Sequence, residues 1–162
     1  MKFISLFSIT FLLLVSCSSN AVTEGKDREY VKEVRETVTD IYNKQTESLK
    51  KFNMSNYLNK IDDSDFINAG KLSCKVIENI KPEENKFDPA TMPKVAEDMP
   101  YPVAYVKVKQ YIDSKLFEPK NDLDYMSLNT TAQFTFSILV PYLLTESVLK
   151  HSITYYCPSK KV

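Results

Sequence analysis

A chain of 162 residues with 21 Lys plus Arg against 21 Asp plus Glu carries no net charge, which excludes the concentrated positive field needed to hold nucleic acid or an anionic membrane surface. Two glycines exclude a Gly-rich phosphate loop, and one histidine with three cysteines gives no metal-ligand spacing and leaves only scattered carboxylates as ligands. The length suits one domain with a real hydrophobic core. At the N-terminus Lys2 precedes an apolar stretch from Phe3 to Val15, broken only by Ser5, Ser8 and Thr10. It is shorter than the ~20 residues of a membrane-spanning helix and reads as an export signal.

Leu14-Val15-Ser16-Cys17 stands where the apolar run stops, followed by polar Ser18-Ser19-Asn20. It resembles the lipobox of bacterial lipoproteins, and the resemblance implies removal of residues 1–16, lipidation of Cys17 and attachment to a membrane of the cell envelope outside the cytoplasm. Ser18 after the lipidated position is compatible with transfer to an outer membrane. Cleavage after Ala21, with Ser19 and Ala21 as the small residues, is the competing reading and discards Cys17. A chance cysteine in the apolar region is the third. Residues 17–26 read as a flexible tether, and 27–158 as the folded domain, with 159–162 as a tail.

With Cys17 lipidated or discarded, Cys74 and Cys157 are the remaining pair, and an oxidising compartment favours one disulfide between them. It closes a loop of 83 positions, from 74 to 157. A redox pair or a nucleophilic cysteine is the functional alternative, without a C-x-x-C to support it.

Residues 27–52 place Val31, Val34, Val38, Ile41, Leu49 and Phe52 at helical spacing, with a polar interruption near Gln45. Asp40 to Lys44 and Glu47 to Lys51 are i,i+4 pairs on the outer face. Asp62, Asp63, Ser64 and Asp65 invite a calcium-loop reading, but the glycine and distal glutamate of an EF-hand are missing. Asp63 or Ser64 reads better as the cap of a helix that puts Phe66, Gly70, Ser73, Cys74, Ile77 and Ile80 on one side and stops at Pro82.

Five prolines between 82 and 102 mark a structured crossing loop with one helical turn near Met92 to Met99. Residues 103–116 fit a helix through Tyr105, Val108, Ile112 and Leu116, or a short strand through Val106 and Val108; the helix is favoured because no partner strand follows. From Asn129 or Thr130 as cap, the last segment is the most apolar of the mature chain, and Pro141 is expected to kink it or start a second helix. It reads as the centre of the bundle and as too polar and interrupted for a membrane span. The expected fold is an all-α, single-domain bundle of about four to five helices clamped by one disulfide.

With these elements placed, DSDFINAGKLSCKVIENI and SVLKHSITYYCPSKKV are together similar to a small exported bacterial domain of unknown function found in actinobacteria and cyanobacteria. The matching positions are Asp65, Gly70, Cys74, Cys157 and Pro158. The resemblance covers about a quarter of the chain and implies a helical fold with paired cysteines; it brings no activity.

Ser147 and His151 form an i,i+4 pair that resembles a nucleophile beside a base, but no orienting carboxylate or oxyanion donors are assignable from sequence. A packed or surface histidine is the simpler reading. Tyr101, Tyr105 and Tyr111 beside the Pro-rich loop suit a protein-contact surface, although the rim of the core is the simpler reading. Asn53-Met54-Ser55 and Asn129-Thr130-Thr131 match glycosylation sequons. The function expected is a non-enzymatic protein-binding module, with a toxin-immunity protein as one concrete form and no cofactor or nucleic acid implied. An envelope hydrolase using carboxylates and a chaperone-like envelope protein are the alternatives.

Overall fold

Every regular element is helical among the residues that the computed structural model describes, 9–45, 52–117 and 123–160. In chain order these are α1 (Ile9–Asn43), α2 (Met54–Asn59), α3 (Asp63–Asn79), α4 (Pro102–Lys115), the single turn α5 (Leu123–Met126) and α6 (Thr130–Tyr155). Single 3-10 turns stand at Lys94–Ala96 and Pro158–Lys160. Residues 1–8 of the expected signal, Leu49, the Glu47–Lys51 pair and the end of the tail at 161–162 lie outside the described residues.

The first helix departs from expectation at both ends. Residues 17–26, expected as a flexible tether, are helical backbone continuous with α1. No proline interrupts residues 9–43, so hydrogen bonding propagates outward from the packed part once that part has nucleated. At the other end the helix stops at Asn43 rather than running to Phe52. There Lys44 and Gln45 close i→i+3 bonds on Ile41 and Tyr42, and the Gln45 amide donates to the Ile41 carbonyl at 3.3 Å. Phe52 is buried beyond that break, not on α1.

Two caps are sequon asparagines. Asn53 accepts from the Asn56 N–H at 3.0 Å to start α2, and Asn129 accepts from the Ala132 N–H at 2.9 Å to start α6. Each satisfies an orphan donor of a first turn. The N-cap of α3 is Asp62, one residue before the expected position, and its side chain makes no capping bond. Asp63 and Asp65 instead supply negative charge to the first turn. At α4, Pro102 occupies the first turn, where its missing N–H is harmless, and residues 103–115 are helix, not strand.

α6 is the hub, packed against α1, α3 and α4. It runs antiparallel to α1: Tyr30 meets Tyr155 and Tyr156, the Val34 carbonyl accepts from Ser147, and Tyr42 meets Phe136. Pro141 neither ends the helix nor splits it; the residue is buried in the core, and the Thr145 hydroxyl donates to its carbonyl at 2.7 Å. By length and mean hydropathy (1.3) α6 qualifies as a candidate span, contrary to the reading of it as too polar, yet 56% of that window is buried within the bundle. At the end of α6 that meets Tyr42, the rings of Phe52, Tyr57, Phe117 and Tyr125 surround Phe136, with Phe52 nearest at 4.5 Å between centroids.

Candidate functional site

The α6 turn that carries Glu146, Leu149, Lys150, Ile153 and Thr154 faces the Pro-rich crossing segment at Met99, Pro100 and Tyr101. The segment approaches through the 3-10 turn Lys94–Ala96 and turns and bends at 97–100, and Pro102 then starts α4. A cleft of about 450 Å³ remains, within the size range of small-ligand sites. Its walls are mostly apolar, and the charged groups are Glu146 and Lys150, one helical turn apart. Glu146 accepts from the Tyr142 phenol, whose acidity is lowered by burial first and by this carboxylate second. Tyr105 does not line the cleft; its fully buried hydroxyl makes no hydrogen bond among the described residues and feels a minor electrostatic influence of Glu146. Burial, with smaller contributions from Tyr142, Asp113 and Glu146, pushes its pKa up to about 12.

The three tyrosines do not form one surface. Tyr105 is 0% exposed and belongs to the core, which removes it from any contact surface. Its i,i+4 neighbour Tyr101 is half-buried and lines the cleft. Tyr111 is half-buried toward α3, hydrogen-bonded to Asn68 with Asp65 nearby. Proximity along α4 suggested a patch, but helical rotation sends each ring to a different neighbour.

The Ser147–His151 pair is not formed. Ser147 is buried and donates to the Val34 carbonyl at 3.3 Å, whereas His151 turns to other groups on α1: Nδ1 is 2.9 Å from Glu33 Oε2 and Nε2 is 2.9 Å from Thr37 Oγ1. Burial lowers the imidazole pKa; Glu33 opposes that shift and Lys150 adds to it. The neutral ring with Nδ1–H donating to Glu33 and Thr37 donating to Nε2 satisfies all three groups. A carboxylate, an imidazole and a hydroxyl in line have the connectivity of a catalytic triad. Here they sit in the middle of two helices, where backbone N–H groups are already bonded within the helix and none is left to hold an oxyanion. The arrangement is an interhelical polar clamp.

Cys74 on α3 and Cys157 beyond the end of α6 are both buried and meet in a near contact of 2.6 Å. The sequence paired the right residues in space, and their contact is compatible with the expected bond without being a clear disulfide. Burial first, then Cys157 and Glu78, raises the Cys74 pKa, which suppresses the thiolate that nucleophilic or redox chemistry needs. Residue 17 lies on the α1 backbone. Among the described residues no cluster of three His, Cys, Asp or Glu is arranged for a metal. Asp63 of the acidic run is paired with Arg35 at 2.7 Å.

The sequence did not reveal the cleft, because its walls come from segments some 50 positions apart. The clustering of prolines was the only local signal. Comparison with protein families, curated proteins and solved structures finds no match for this chain.

Proposed function

We propose that this chain is a lipid-anchored binding module of the bacterial cell envelope, whose cleft between α6 and the Pro-rich segment takes an apolar element of a polypeptide partner. Residues 1–16 are removed, Cys17 is acylated, and domain 27–158 faces the space outside the cytoplasm with Cys74 and Cys157 oxidised to a disulfide. A toxin-immunity protein is the concrete form of this reading. The observation that carries it is the cleft itself: a concave, mainly apolar site of about 450 Å³ lined by Met99, Pro100, Tyr101, Leu149 and Ile153. A hydrolase with paired carboxylates fits this site less well, since Glu146 is the one carboxylate among its lining residues.

The anchor is tested by labelling cells with a radioactive fatty acid: the label enters the wild type and is lost in Cys17→Ala. The partner site is tested in the same cells with a photo-crosslinking residue at Ile153 and, as control, at exposed Ser64 on α3. A discrete adduct at 153 and none at 64 supports the proposal. The same pattern at both positions, or no adduct at 153, overturns it.

A further inference from the structure

Glu146 and Lys150 carry opposite charges on successive turns of one helix face, about 5–6 Å apart at Cβ. No ion pair joins Lys150 to a carboxylate among the described residues. A mainly apolar trough lined by half-buried Glu146 and exposed Lys150 is a poor host for a purely aliphatic occupant, because covering these groups removes water from them and returns nothing. It is a good host for an occupant that gives both a partner.

We infer, resting on the reading of the cleft as the partner site, that its occupant is a short apolar peptide element bearing one cationic and one anionic group about one helical turn apart, the cation on Glu146 and the anion on Lys150. The spacing sets the size. An extended chain advances at most ~3.3–3.6 Å per residue, so the ammonium and carboxylate of a free dipeptide span about the distance between the two side chains. Leucyl-leucine combines that spacing with two apolar side chains for the walls formed by Met99, Leu149 and Ile153.

The experiment uses the full chain in lipid nanodiscs and follows the methyl resonances of Leu149 and Ile153 during titration with leucyl-leucine, N-acetyl-leucyl-leucine and leucyl-leucinamide. The zwitterion is expected to bind about tenfold more tightly than either capped form, one charge-assisted hydrogen bond being lost with each cap. That advantage is expected to disappear against the acetylated form in Glu146→Gln and against the amide in Lys150→Met. Both positions retain the bulk of the side chain, and unchanged far-ultraviolet dichroism confirms folding. Equal binding of all three peptides identifies a plainly apolar occupant and overturns the inference. So does an advantage that survives both substitutions, or no binding by any peptide. In each of those cases a persisting crosslink at Ile153 leaves the partner site standing, whereas loss of the crosslink removes the partner site by itself.

Discussion

Gly70 on α3 lies so close to Tyr30 on α1 that a Cβ at the glycine would stand 2.6 Å from Tyr30 Cζ and 2.7 Å from its hydroxyl. The same Cβ would meet Tyr156 Cε2 at 2.5 Å, and Tyr30 and Tyr156 are themselves packed edge to face at 4.9 Å between centroids. The glycine is therefore present for close approach of two aromatic rings and not for backbone freedom, since its φ is not positive. Gly70→Ala is expected to destabilise the domain by about 1–3 kcal/mol through overpacking, although alanine is the better helix former by ~1 kcal/mol. Gly25→Ala, with nothing within 4 Å of the added methyl, is the control and should be neutral or stabilising. Urea denaturation of both decides it, and a Gly70→Ala domain as stable as wild type contradicts the contact.

His151 predicts how stability responds to acid. Its folded pKa is lowered from the ordinary 6.5, by burial above all. The unfolded chain therefore binds the proton more readily, and stability rises with pH across the window between the two values. The contribution is complete above about pH 6.5 and is lost as pH falls through the folded pKa. Urea midpoints between pH 5 and 7.5 should decline on the acid side for the wild type and decline less for His151→Gln. Identical slopes for the two would show that His151 is not the titrating group.

Arg35 joins α1 to the start of α3: Nη1 is 2.7 Å from Asp63, Nη2 donates to the Ile61 carbonyl at 2.7 Å, and the guanidinium lies 5.0 Å from the Phe66 ring centroid. Its side chain is only 21% exposed, so this is not an ordinary surface pair. A lysine ammonium cannot form the fork and the ring contact together. Arg35→Lys is expected to cost about 1–2 kcal/mol, measurably more than Lys109→Gln in the exposed Lys109–Asp113 pair on α4. Equal midpoints for the two variants would reduce the Arg35 contacts to decoration.

The proposed bond between Cys74 and Cys157 has a direct readout in thiol counting of protein isolated from the envelope. No reactive thiol is expected after unfolding, and reduction should lower stability by roughly 4–5 kcal/mol, the chain-entropy value for a loop of this length. The double variant Cys74→Ser/Cys157→Ser should be insensitive to reductant. Two free thiols in the isolated protein would leave the buried pair as packing alone.

Tyr105→Phe removes a buried hydroxyl that has no hydrogen-bond partner among the described residues. An unsatisfied buried polar group carries a desolvation penalty of ~1–3 kcal/mol, so the phenylalanine domain is expected to be at least as stable as wild type and up to about 1 kcal/mol more so. Marked destabilisation in urea would mean that the hydroxyl is satisfied in solution.

The legible parts of this chain were those in which neighbours in sequence share one face. Phe66, Gly70, Ser73, Cys74 and Ile77 are buried on α3 as their spacing requires, and Asn129 caps α6 as its position suggests. Six-residue α2 escaped notice because its buried Met54, Tyr57 and Leu58 make too short a pattern to show a helical period. That the three tyrosines do not share one surface has a related reason. Tyr105 and Tyr111 lie on one helix, but which neighbour each ring meets depends on how α4 is rotated against α3 and α6.

The sequence by itself pointed to an all-α bundle, with a strand left open for 103–116, placed the most apolar segment after Asn129, and singled out Cys74 and Cys157 as the candidates to meet. These follow from hydrophobic period, caps and proline positions, which act over a few residues. Only the tertiary structure decided that Ser147 and His151 turn to different groups on α1, that α6 is covered over half its apolar window by its neighbours, and that Glu146 and Lys150 share a cleft with Met99 and Tyr101. Those outcomes depend on how whole helices are rotated against one another, and rotation is fixed by the summed packing of the core.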